Sequence, residues 1–138
     1  MVVIINGKMF AITEDLNLLD LNLKTGEIIS SYKIEGINIS TSKIISFNYI
    51  DNSFIVALKS GSILRLNMLG EIIWEFKSSK ILNTQLNFIN EQIISLYIDE
   101  IKSISVVDGT QIWSEVYEDL PFYQSNGGQL VSFLNLLF

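Results

Sequence analysis

A tight turn built on glycine comes round three times in this chain, and each time it leads into a strand of the same pattern. Leu21-Asn-Leu-Lys-Thr-Gly26-Glu-Ile-Ile-Ser30 aligns with Leu66-Asn-Met-Leu-Gly70-Glu-Ile-Ile-Trp74 and with Ile104-Ser-Val-Val-Asp-Gly109-Thr-Gln-Ile-Trp113. Gly26, Gly70 and Gly109 stand 44 and 39 residues apart, and the fourth residue after each is Ser30, Trp74 or Trp113. The turn of the second copy is one residue shorter than the other two. Glycine suits a turn that asks for a positive φ, which a side chain resists. An internal period of this length constrains the fold more than any other feature, because it means a row of like units that bury one another's faces.

Each unit reads as four short strands joined by tight turns. In the middle of the chain the strands are Ile44–Ile50, Phe54–Lys59, Ile63–Met68 and Ile72–Lys77, with turns at Asp51-Asn52-Ser53, Ser60-Gly61-Ser62 and Leu69-Gly70-Glu71. The same plan gives Val2–Ile5, Met9–Thr13, Leu18–Leu23 and Ile28–Ile34 upstream, with Asn6-Gly7 as the first turn. Downstream it gives Thr84–Ile89, Ile93–Ile98, Ile101–Val107 and Gln111–Glu118. Phe54–Lys59 is apolar enough to be buried on both faces, whereas alternation predicts Ile72, Trp74 and Phe76 on one face and Ile73, Glu75 and Lys77 on the other. The expected fold is all-β, with four-stranded antiparallel blades of the β-propeller type. The units fall at 1–35, 42–78 and 84–119, and a fourth begins at 120–138 with a hairpin at Asn126-Gly127. About three and a half blades cannot close a ring of ~4–8 by themselves, so the chain is expected to be a fragment of a longer propeller, one of two chains that combine their blades, or part of an open or domain-swapped assembly.

Composition narrows the chemistry. Among 138 residues there is no Cys and no His, which removes disulfides, thiolate and imidazole metal sites, a Cys nucleophile and the base of a Ser-His-Asp triad. Arg65 is the single guanidinium. A net charge of -6 supplies no basic patch for a phosphate backbone, so nucleic acid is not an expected partner. Disorder is excluded by a 49% hydrophobic content rich in β-branched residues, with 23 Ile. No apolar run approaches the ~20 residues of a spanning helix, and Met1-Val-Val-Ile-Ile5 runs at once into Asn6-Gly7 instead of forming a signal-peptide core.

The string Leu-Asp/Asn-x-x-Thr-Gly-Glu-x-x-Trp, carried by Leu21–Ser30, Leu66–Trp74 and Ile104–Trp113, resembles the repeat of pyrroloquinoline-quinone (PQQ) type β-propellers. Ser30 departs from the pattern at the Trp position, and Asn22, Asn67 and Ser105 stand where Asp is usual. The resemblance implies that the Trp docks between neighbouring blades. It also implies one of two kinds of protein. One is the quinoprotein dehydrogenases, which hold PQQ and calcium on the propeller axis. The other is non-catalytic scaffolds similar to BamB, which assist β-barrel insertion in the outer membrane. The dehydrogenase reading asks for a catalytic Asp, calcium ligands and cationic residues near a quinone, and often a vicinal Cys pair.

The reading is therefore a non-catalytic propeller scaffold mediating protein–protein interaction in the manner of the BamB group. Its alternatives are a partial quinoprotein dehydrogenase, inactive alone, and a sensor that binds a small ligand in its central channel. No residue is assigned a catalytic, cofactor-binding or metal-ligating role, and no cofactor is expected. The expected partners are proteins, including a second copy covering an exposed edge such as the apolar strand Leu130–Phe138. By resemblance the location is the periplasm or the periplasmic face of the outer membrane, while the residues themselves fit the cytoplasm equally well. Trp74 and Trp113 are expected to pack blades together, and Arg65 to bridge blades by an ion pair. Glu14-Asp15 and Asp99-Glu100 are expected to be solvated turn charge.

Overall fold

A computed structural model describes residues 1–37, 43–82 and 84–117. The expected fourth unit at 120–138, with Asn126-Gly127 and Leu130–Phe138, lies outside the described residues, as do Glu118 and Asn83. The described residues form twelve strands and no helix. The first sheet holds β1 (Val2–Ile5), β2 (Lys8–Ile12), β3 (Asn17–Leu21) and β4 (Ile28–Lys33). The middle sheet holds β5 (Ile44–Ile50), β6 (Ser53–Leu58), β7 (Ile63–Leu66) and β8 (Ile72–Phe76). The third holds β9 (Asn87–Ile89), β10 (Gln92–Leu96), β11 (Glu100–Ser105) and β12 (Gln111–Val116). In each sheet the strands pair in chain order, all antiparallel. The three sheets are β-propeller blades, and they do not close on themselves.

The turns explain why the sequence folds this way. The first hairpin of each sheet turns on two residues of positive φ: Asn6 and Gly7, Asp51 and Asn52, Asn90 and Glu91. This conformation matches the twist of the strands on either side. Because Asp51 and Asn52 suffice, Ser53 belongs to β6 and not to the turn. The glycine turns share a second device. Asn22 Oδ1 accepts from the amides of Lys24 and Thr25, Asn67 Oδ1 from those of Leu69 and Glu71, and Ser105 Oγ from that of Val107. Gly26 N donates to Asn22 O and Gly109 N to Ser105 O, four residues back. In the shorter turn Gly70 N donates to Asn67 O, three back. The departures from Asp at these positions thus keep an acceptor where the turn needs one.

Sheet registers divide the core into layers. Phe54, Val56 and Leu58 of β6 pack with Phe10, Ile12, Leu18 and Ile34 of the first unit, while Ile55 and Ala57 face Ile93, Ile104 and Val106 of the third sheet. All six residues of β6 are buried, as the apolar run from Phe54 predicts. On the far side of the third sheet Ile94, Leu96 and Ile101 form a further buried cluster.

Two expectations about strands need correction. Thr84–Ile89 shortens to Asn87–Ile89, because Leu82 bridges Tyr97 and Leu86 is buried in the connection before β9. More telling, Ile72 and Trp74 do not share a face. Leu66 lies opposite Ile72 and Arg65 opposite Trp74, with a register shift between them, so Ile73 is an extra residue in β8. Cross-strand partners point to the same side, so this bulge sends Ile72 to the first sheet and Trp74 with Phe76 to the third. The same shift lies between Asp20 and Leu21 and between Ser103 and Ile104, which makes Ile29 and Ile112 the corresponding extra residues.

Candidate functional site

The polar side chains of the interior gather between the middle and third sheets, where they join blades. Trp74, in β8 just past the bulge, lies 9% exposed with its Nε1 donating to Val106 O at 2.9 Å. Beside it Arg65 Nη1 donates to the same carbonyl at 2.9 Å, and Arg65 Nε donates to Ser53 Oγ at 2.8 Å. Both lone pairs of the Val106 carbonyl are thereby used. Gly109 covers the indole face so closely that a Cβ there would meet Trp74 Cδ2 and Cε3 at 2.5 Å. The glycine and tryptophan of the motif therefore work across units: the Trp of one sheet rests on the Gly turn of the next. Gly70 repeats the arrangement over Tyr32 and Ile34 of the first unit.

Arg65 bridges the sheets as expected but by a different bond. Among the described residues it pairs with no carboxylate, because the surface of the third sheet offers a strand-end carbonyl at that height. Trp113 occupies the place of Trp74 on the third sheet and lies half-buried against Ile94, Leu96 and Ile101.

The two acidic turns also part company. Glu14 and Asp15 are solvated, and the Thr13 hydroxyl hydrogen-bonded to Asp15 holds that carboxyl below its usual range. Glu100, by contrast, opens β11 and is buried, 8% exposed. Its Oε1 lies 2.7 Å from Lys102 Nζ, an ion pair outside hydrogen-bonding alignment, and its Oε2 lies 3.5 Å from Lys80 Nζ. Lys80 also reaches Asp99 at 2.9 Å, and this contact raises the pKa of its ammonium above the ordinary value. Lys102 Nζ stands 5.9 Å from the Phe76 ring centre and 6.0 Å from that of Tyr97, within cation–π range. Tyr97 is buried, which pushes its phenol up, and its hydroxyl donates to Gly61 O at 3.2 Å. The expectation of solvated charge fails for Glu100, while Asp99 keeps half of its side chain exposed. The connection after β8 folds back over this turn and brings Lys80 with it, a contact that spacing along the chain does not announce.

The first sheet is furnished differently. Asp20 and Ser30 hold the places of Arg65 and Trp74, so neither donor of the other junction is present. Asp20 Oδ1 is buried without a hydrogen-bond partner among the described residues. Next to it, Gly7, Lys8, Leu21–Lys24 and Ile29 line a cleft of about 570 Å³. Among the described residues no three carboxylates come together as a cation site.

The architecture defines this chain as a stack of β-propeller blades. Solved structures with the same fold include the quinohemoprotein alcohol dehydrogenase of Comamonas testosteroni, which matches 84% of this chain and 20% of its own, at a TM-score of 0.62 and 15% identity. A europium-containing methanol dehydrogenase matches 83% of this chain and 24% of its own, with a TM-score of 0.62 and 11% identity. BamB from Moraxella catarrhalis matches 83% and 39%, with a TM-score of 0.61 and 12% identity. These are PQQ-like propeller proteins, in agreement with the resemblance of the glycine turns. The chain spans 20% to 39% of their lengths. No family model matches it, and no curated protein sequence does.

Proposed function

We propose that this chain is a non-catalytic propeller scaffold that acts by presenting a blade face to a protein partner, in the manner of the BamB group. The observation that carries the reading is the outer face of the first sheet, where Val2, Ile4 and Ile28 stand 57%, 62% and 60% exposed. A contiguous apolar face of that kind on a sheet is a surface for another protein. The buried polar groups support it from the other side: Arg65, Trp74, Glu100 and Lys102 are engaged in holding sheets and turns together. The finer reading, with self-association among its interactions, is service in outer-membrane β-barrel assembly from the periplasmic side. It rests on likeness to BamB, and no helix among the described residues is long and apolar enough to cross a membrane.

The competing reading, a partial quinoprotein dehydrogenase, is separated by titration calorimetry with PQQ in the presence of calcium. The scaffold account expects no heat of binding up to about 1 mM PQQ, a concentration at which even a weak site fills. Saturable binding at micromolar PQQ would overturn it.

A further inference from the structure

Exposed apolar side chains also run from sheet to sheet along β4, β8 and β12, the last and edge strand of each. Ile29, Ile73 and Ile112, the extra residues of the three bulges, hold the same place in these strands, and all three are exposed. Leu69 and Val107 continue the row onto the glycine turns, at the position whose amide donates to Asn67 or Ser105. The middle sheet shows that this exposure belongs to the fold and not to an end of the stack. It has a sheet packed on each face, yet Ile73 and Leu69 remain 51% and 52% exposed. Further blades on either side would leave the position open in the same way. Acidic groups border the row. The glycine turns carry Glu27, Glu71 and Asp108 against Lys24 as their one cation, all exposed, while farther along the edge strands Glu75 and Glu115 balance Lys33 and Lys77. The amide and hydroxyl of Thr110 donate to Asp108 and hold that carboxyl below its usual range.

We infer that this row docks a basic amphipathic helix of a partner protein, laid across the edge strands. The inference rests on the scaffold reading for its protein partner and adds the chemistry of what that partner presents. Sheets packed face to face stand about 10 Å apart. The third sheet's glycine turn touches Trp74 of the middle one, so the spacing stays one side chain deep at the edge strands. A helix advances about 10.5 Å in seven residues, so apolar residues one heptad apart meet successive blades. An added strand is the poorer occupant, because a bulge in each of β4, β8 and β12 breaks the ladder it would need. The charge on the turns selects a cationic partner and opposes both a second copy, which brings the same acids, and an anionic lipid surface.

Fluorescence anisotropy with the full chain tests this. The probe is a labelled peptide of about 18 residues, long enough to cross three blades, with Leu at the first and fourth places of each heptad and Lys, Gln and Ala elsewhere. Saturable binding is expected with a Kd below about 100 µM at low salt, weakened at least about five-fold by 0.3 M salt. A scrambled peptide of the same composition should bind at least about ten-fold more weakly. Ile73→Lys, and separately Leu69→Lys, should weaken binding about ten-fold or more while leaving the circular dichroism spectrum and thermal transition in place, since both side chains are exposed. Ile89→Lys, at an exposed apolar residue on the opposite edge of the third sheet, should leave binding unchanged. Absence of binding up to about 500 µM, equal binding of the scrambled peptide, indifference to both row variants, or a dimer in sedimentation that Ile73→Lys disperses would each overturn the inference. None of these results bears on PQQ binding, so the scaffold reading stands or falls separately.

Discussion

Gly26 and Gly109 hold the same place in the repeat and nearly the same φ, +77° and +73°, yet they do different work. A Cβ on Gly26 meets nothing within 4 Å, so Gly26→Ala carries only the backbone penalty of about 1 kcal/mol. A Cβ on Gly109 runs into the Trp74 ring, and Gly109→Ala should cost at least about 2 kcal/mol more as the blade junction is forced apart. Urea unfolding of the two variants measures the gap, and equal losses would show that Trp74 does not rest on this turn. Tyr97 offers a second test. Its buried phenol has a pKa raised above 10.0, so the neutral form is favoured by folding. That contribution is whole below pH 10 and is lost as the pH rises through the folded value. Lys80, raised above 10.5 by Asp99, acts in the same direction. Stability should therefore fall on the alkaline side, and Tyr97→Phe should make the fall shallower while lowering the level by about 1 kcal/mol for its lost hydrogen bond to Gly61. Parallel alkaline limbs in chemical unfolding would contradict this.

The strands show where sequence reading works and where it stops. The glycine turns, the Asn-Gly hairpin and the all-apolar β6 are local features, and each produces its element where alternation and turn chemistry place it. The bulges are another matter. A period of two assigns Ile72 and Trp74 to one face, and nothing in Glu71-Ile-Ile-Trp74 marks Ile73 as the residue that leaves the ladder. The bulge recurs in all three units and puts the residue before it on one side of the sheet and the residue after it on the other. Removing Ile73 should close the bulge while Ile72 stays opposite Leu66 and Trp74 opposite Arg65, so Trp74 keeps its place at Val106. We expect both the deletion and Ile73→Ala, at a side chain 51% exposed, to keep the middle sheet folded, the substitution costing less than about 1 kcal/mol. Near-ultraviolet circular dichroism, which reads the Trp74 environment, checks this, and loss of the Trp74 signal in the deletion would contradict it. The bonds of Arg65 and Glu100 were illegible for a related reason: Val106 O and Lys80 lie outside their own units, 41 and 20 residues away.

At the scale of the molecule, the stack explains both what is stable and what is available. The middle sheet is packed on both sides, the third is packed on one side and shielded on the other, and the first has one side open. The repeat made this architecture readable from spacing alone, since three like units cannot each bury two faces unless they lie side by side. Which face remains open was not readable, because the first unit carries Leu, Met and Ile there just as the covered units do. The central claim is the stack itself, and amide hydrogen exchange measured strand by strand tests it most directly. Protection follows the number of packed faces and the position within a sheet. The account predicts the slowest exchange in β6, close behind it β7 and β10, and the fastest in β1 and β4. Exchange that is uniform across the three sheets, or slowest in the first sheet, would contradict it.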